Sequence, residues 1–158
     1  MPYPQQPCAN LRRILQQHLL LARRLLRLTK EQSAALVAGD VRKLSELEAQ
    51  QRETLSQQQA LEPQREEATR LLTTSLGLTG DLKLTQFMPK LPPEEQRAFT
   101  QIRKELLNVQ EELSEVKQQN LRLIQNALEF VQMGMESITQ LHHFNITNNH
   151  GRTWPRQL

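Results

Sequence analysis

The stretch RAFTQIRKELLNVQEELSEVKQQNLRLIQNALEFVQMGMESITQLHHF, residues 97–144, decides the fold. Phe99, Ile102, Leu106, Val109, Leu113, Val116, Asn120 and Leu123 are spaced alternately three and four apart. That is the a/d alternation of a helix packed along a seam against a partner. A polar Asn120 in the seam can fix register at some cost in stability, or can take part in binding. Beyond Asn120 the stripe drifts by one position to Ile124, Leu128, Val131, Met135 and Ile138, while Ala127, Phe130 and Met133 continue on neighbouring faces and Gly134 falls between two methionines. Two apolar stripes then run side by side. One is expected to be buried by the helices that precede it in the chain. The other has no evident internal partner and reads as a surface kept for the helix of another protein, with Asn120, Leu123, Ile124, Ala127, Phe130, Val131, Met133, Gly134, Met135 and Ile138 as the candidate binding residues.

Upstream, Pro93 suits the first turn of this third long helix, and Glu94 and Glu95 lie beside its positive N-terminal dipole. The helix is predicted over about 93–143; fifty residues of it would extend roughly 75 Å. Residues 77–92 form the one clear linker, with two glycines and two prolines just ahead of Pro93, and Asp81 is placed to cap a short helical turn through Phe87. A first helix is predicted over about 9–38, where Leu11, Leu15, His18, Ala22, Leu25 and Leu36 keep one face toward a partner. A second is predicted over about 41–76, with a Gln- and Glu-rich middle and a kink or restart at Pro63. Between these two helices, Gly39 reads as a C-terminal stop and Asp40 as an N-cap. A break that short makes either an antiparallel turn or a kink, and a kink or tight corner is expected. The tail, 144–158, is polar and is expected to be flexible, with Trp154 as its one anchor.

The fold expected is therefore all-α: one domain, an elongated antiparallel helical bundle or coiled coil of three main helices with a short helical turn in the linker. Composition agrees, since 37% hydrophobic and 4% aromatic residues are a thin supply for a spherical core, and only five glycines interrupt the helix formers. A formal net charge of +3 from 20 basic and 17 acidic residues is too balanced to point to nucleic acid. Residues 1–30 hold six basic side chains and no acidic one, a bias shared by transit peptides and membrane-surface helices. Their spacing continues unbroken into the following residues, however, which favours a structural helix with a basic outer face. No apolar run reaches the roughly 18 to 20 residues of a membrane span.

Catalytic and metal chemistry find no support. Cys8 stands alone, as a chain held in a reducing cytosol would have it. His142, His143 and His150 lack companion ligands at metal spacing, and adjacent histidines on a helix point apart. No phosphate loop, nucleophile elbow or Ser-His-Asp set occurs. Neither an enzyme nor a cofactor is expected.

Two segments carry a family likeness. LTKEQSAALVAGDVRKLSELEAQQRETL, residues 28–55, resembles the pattern of a Gly-Asp-like break followed by a Leu-rich helix with a polar middle in the FlgN-type flagellar export chaperones. KQQNLRLIQNAL, residues 117–128, is similar to that family's Asn-x-x-Asn-Gly-x-Leu-Ile segment: Asn120, Leu123 and Ile124 match, Lys117 stands for the first Asn and Leu121 for the Gly. The aromatic-Gly pair that often follows is replaced by NNHGRTW. The resemblance implies a cytoplasmic type III export chaperone that binds the C-terminal helices of hook-associated (hook–filament junction) proteins. It would prevent their premature assembly and deliver them to the flagellar export gate, without nucleic acid or membrane insertion. The alternatives are a structural or tethering coiled-coil subunit that uses the stripes for self-association, and an adaptor that uses the basic face of residues 12–30 on a membrane surface or nucleic acid.

Overall fold

The computed structural model describes residues 3–150, with side chains through Thr147. Among the described residues every regular element is helical: α1 (Gln5–Ala38), α2 (Val41–Ser75), α3 (Leu84–Phe87) with a 3-10 turn after it (Met88–Lys90), and α4 (Pro93–His150). The chain divides into two compact units, Met1–Asn120 and Leu121–Leu158.

In the first unit a two-residue reversal joins α1 to α2. Gly39 adopts φ 67°, the left-handed conformation that glycine reaches without a Cβ penalty. Its N–H bonds the carbonyl of Leu36 at 3.3 Å, and the N–H of Asp40 reaches back to that of Ala35 at 3.0 Å. This pair of bonds is the Schellman closure of a helix C-terminus. Asp40 then turns its carboxylate to accept the N–H of Lys43 at 3.0 Å and opens α2 as its N-cap. The sequence reading of both residues stands, but the result is a full antiparallel reversal rather than a kink. His18 faces Glu62, Thr29 faces Gln51, and Ala35 packs in one cluster with Leu47. As α1 ascends, α2 descends.

Apolar side chains close the hairpin from both ends. Near the reversal, Leu28 and Ala35 pack with Leu47. At the other end Cys8, Leu11 and Ile14 meet Ala68 and Leu72 of α2, and Phe87, Leu91 and Phe99 seal the same cluster. The linker that supplies Phe87 turns at two glycines of positive φ, Gly77 and Gly80. Asp81 does not cap its helical turn: α3 begins at Leu84 after Lys83, whose N–H is taken by the Gln86 side chain at 2.7 Å. Nor does Pro63 restart a helix, because α2 continues through it. Pro63 is exposed, so water can take the carbonyl it leaves without a donor.

The first part of α4 runs beside α1 in the same direction, and four polar pairs mark the register. Arg12 Nη1 donates to both carboxylate oxygens of the buried Glu95 at 2.8 and 2.7 Å, Arg23 pairs with Glu105, Lys30 with Glu112, and Ser33 with Asn120. Phe99 and Ile102 are buried, and Leu106, Val109, Leu113 and Val116 are half-buried, so the three-four seam faces inward along this stretch. Residues 144–150, expected in a flexible tail, lie within α4. The remainder of that tail, including Trp154, lies outside the described residues.

Two outcomes follow for stability. Leu72, fully buried, should cost about 2–5 kcal/mol when cut to Ala, whereas Leu20→Ala, at an exposed site on α1, should stay within about 0.5 kcal/mol, both read by urea unfolding. His18 sits half-buried between α1 and α2, its Nε2 without a hydrogen-bond partner and 3.9 Å from Glu62. Burial holds its pKa below the ordinary histidine range; Glu62 opposes this and Arg65 adds to it. The unfolded chain therefore binds the proton more tightly than the folded one, and stability should fall as pH drops through about 6.5 toward the lower native value. A His18→Leu variant should flatten that limb of the stability–pH curve.

Candidate functional site

The last residue of the first unit is the hub of a polar layer. Asn120 is 4% exposed, and its Nδ2 donates to the carbonyl of Thr29 at 3.1 Å and to Oε1 of Gln32 at 3.2 Å. The Ser33 hydroxyl donates to its Oδ1. From α2, the Gln51 amide donates to Thr29 Oγ1 and to Gln32 Oε1, both at 3.3 Å. Side chains from α1, α2 and α4 thus meet in one connected set, and a buried amide so supplied keeps most of what it lost in leaving water. Both roles were open to Asn120 in the sequence; its side chain is engaged inside the first unit, the arrangement a register role asks for.

Asn120 meets α1 between Thr29 and Ser33, and α1 ends at Ala38. α4 continues for thirty residues more, to His150.

Taken by itself, the second unit is a helix with apolar residues exposed around most of its circumference. Leu123 is half-buried, and Ile124, Ala127, Phe130, Val131, Met133, Gly134, Met135 and Ile138 are exposed. Phe130 at 77%, Ile138 at 68% and Leu128 at 64% set the scale. The seam expected to lie against the earlier helices, Ile124, Leu128, Val131, Met135 and Ile138, is therefore exposed along its length, like the Phe130 and Met133 stripe that was expected to be spare, with Ile124 the least open at 38%. Periodicity identified two faces and could not show that neither was covered. Around the helix, Ala127 and Gly134 fall between the two stripes, and a Cβ added at Gly134 would meet nothing within 4 Å. They form a shallow channel bordered by larger side chains. The polar residues Arg122, Gln125, Glu129, Gln132, Glu136 and His143 gather on the remaining arc.

The sequence reading left out Leu121, Leu141, Phe144 and Ile146, all exposed on this helix. Leu141 continues the line of Ala127 and Gly134 at a spacing of seven, a signal that was available; Phe144 and Ile146 were lost among polar neighbours.

Among the described residues, His, Cys, Asp and Glu nowhere gather in threes suited to a metal ion, and no helix is long and apolar enough to cross a membrane. Burial, with Glu95 beside it, pushes the Cys8 thiol up to about 12, so it holds its proton at neutral pH. Three of the six basic residues in the N-terminal stretch, Arg12, Arg23 and Lys30, are engaged by carboxylates of α4.

Among protein families, the one described as FlgN protein matches residues 8–150. Neither the curated proteins nor the solved structures compared gave a match.

The polar layer makes a measurable claim. Asn120→Ala strands three partners on α1 and should cost about 1–3 kcal/mol of unfolding free energy. Combined with Ser33→Ala, the loss should fall short of the sum of the two single losses by about 0.5 kcal/mol or more in a double-mutant cycle, since both changes cut the same bond.

Proposed function

This chain belongs to the FlgN family of flagellar export chaperones, and from that premise we propose that residues 121–147 of α4 are where it holds its clients. The clients are the C-terminal helical segments of hook–filament junction proteins. Bound in the cytoplasm, they are kept from assembling early and are delivered to the export gate. The first unit acts as a three-helix bundle that presents this segment.

One observation carries the reading: eleven large hydrophobic side chains between Leu121 and Ile146 are exposed. Soluble monomers rarely leave more than a few hundred Å² of contiguous apolar surface open, and larger patches mark interaction sites. Each Å² that a client covers is worth roughly 25 cal/mol, so an amphipathic client helix is drawn to it. The Ala127–Gly134 channel lets a helix backbone approach closely, with Phe130 and Met133 on one bank and Val131 and Met135 on the other. Methionine side chains adapt to differing shapes, which suits a surface that meets more than one client sequence.

Phe130→Asp is the direct test, with the C-terminal helical peptide of a hook–filament junction protein as probe and calorimetry as readout. Affinity should fall by about 30-fold or more, as for an interface hot spot, while urea unfolding stays unchanged. Val116→Asp, on the half-buried seam, should instead destabilise the fold. Undiminished binding by Phe130→Asp would place the client surface elsewhere.

A further inference from the structure

The exposed helix has a second property that client binding does not require. In heptad terms Leu121, Leu128 and Met135 occupy one core position and Ile124, Val131 and Ile138 the other. Reversing the segment against itself about a point between Glu129 and Phe130 brings Leu121 opposite Ile138, Ile124 opposite Met135 and Leu128 opposite Val131. Every core layer then joins one unbranched or γ-branched side chain to one β-branched side chain. On one flank of this pairing the nearest neighbour of Ala127 is Gly134, about two residues out of level, small beside small, and on the other that of Gln125 is Gln132, amide beside amide. The only charged residues of 121–147 are Arg122, Glu129 and Glu136, and all three fall on the outer arc, so no like charges meet. The segment is complementary to its own reverse.

We propose that the occupant of this face in the client-free protein is a second copy of the same chain, paired antiparallel through residues 121–141, and that a client must displace it. The pairing is isologous and closes at two copies. Its extent fits a temporary cover. About 30 Å of paired helix buries roughly 500 Å² on each copy, about 1,000 Å² together, at the lower edge of specific interfaces and in the range of transient ones. The masking role rests on the chaperone reading above; the pairing stands on the self-complementary pattern and the exposure of every core position.

Sedimentation velocity on the full chain across micromolar concentrations should show a reversible monomer–dimer equilibrium. Val131→Asp should hold the mass at one chain throughout, with the urea unfolding of the first unit unchanged. Orientation is read by disulfide trapping in a Cys8→Ser background: Ile124→Cys mixed with Met135→Cys should form the mixed disulfide well ahead of either same-variant one. Adding the C-terminal helical peptide of a hook–filament junction protein should return the dimer to single chains carrying peptide. A chain that is monomeric at every concentration, or same-variant disulfides that form first, overturns the proposal. If that monomer still captures the peptide, self-pairing alone fails and the chaperone reading stands. A dimer trapped as expected that ignores the peptide overturns masking, and counts against the client site while leaving the pairing in place.

Discussion

Helix length governs this molecule. α1 and α2 are 34 and 35 residues long and are locked end to end by the Gly39–Asp40 reversal, whereas α4 has 58 residues. Two helices of equal length folded on each other offer a third only their own length of groove. Beyond Asn120, α4 continues as the second unit. An isolated helix in water depends on propensity and on local side-chain pairs, and a mid-helix Gly134 costs it roughly 0.5–1 kcal/mol relative to Ala. A segment that is apolar, helical and left over is therefore a demand for a partner, and the chemistry of its surface decides which partner.

The polar layer around Asn120 ties α4 to α1 inside the first unit. Apolar seams tolerate sliding by a heptad, since one Leu or Ile contact resembles the next. An amide that must find the Thr29 carbonyl, Gln32 and Ser33 does not, because a slip leaves donors and acceptors buried and unpaired. The ion pairs Arg23–Glu105 and Lys30–Glu112 repeat the same register, but they are exposed and contribute little on their own. Glu95, buried and held by Arg12, ties the opposite end. Register is thus set at both ends of the α1–α4 contact, with the weak apolar middle between them.

Much of this could be read from the chain, and the failures share a cause. Gly39 and Asp40 announced their roles because a left-handed stop and an N-cap are local requirements, satisfied within four residues. The three-four spacing from Phe99 to Asn120 was legible because helical geometry converts spacing into a face. What periodicity does not carry is the identity of whatever covers a face. Hence the seam of Ile124, Leu128 and Val131 was expected to face the earlier helices although all three are exposed, and Asn120 stood undecided until its three partners from distant sequence came together. Asp81 and Pro63 were judged by residue type alone. The first lost its capping role because α3 begins later, and of the kink or restart read at the second, the restart is absent because α2 runs through it.

Sharing one surface between a second copy and a client has a quantitative consequence. If part of the chain is paired, only the unpaired fraction can accept a client at once, and the apparent affinity falls by that fraction. A wide, permanent coiled-coil interface would make the reduction prohibitive; roughly 1,000 Å² with a small-residue flank leaves it modest. The wide apolar arc then has two uses that do not coincide. Leu121 through Ile138 on the heptad positions meet their own reverse, while Phe130 and Met133 lie off that seam and remain open in the pair. A client helix can therefore make its first contact on the Phe130 bank before the seam is released. Under the pairing proposed, exchange by such a stepwise route need not wait for the full separation of two copies.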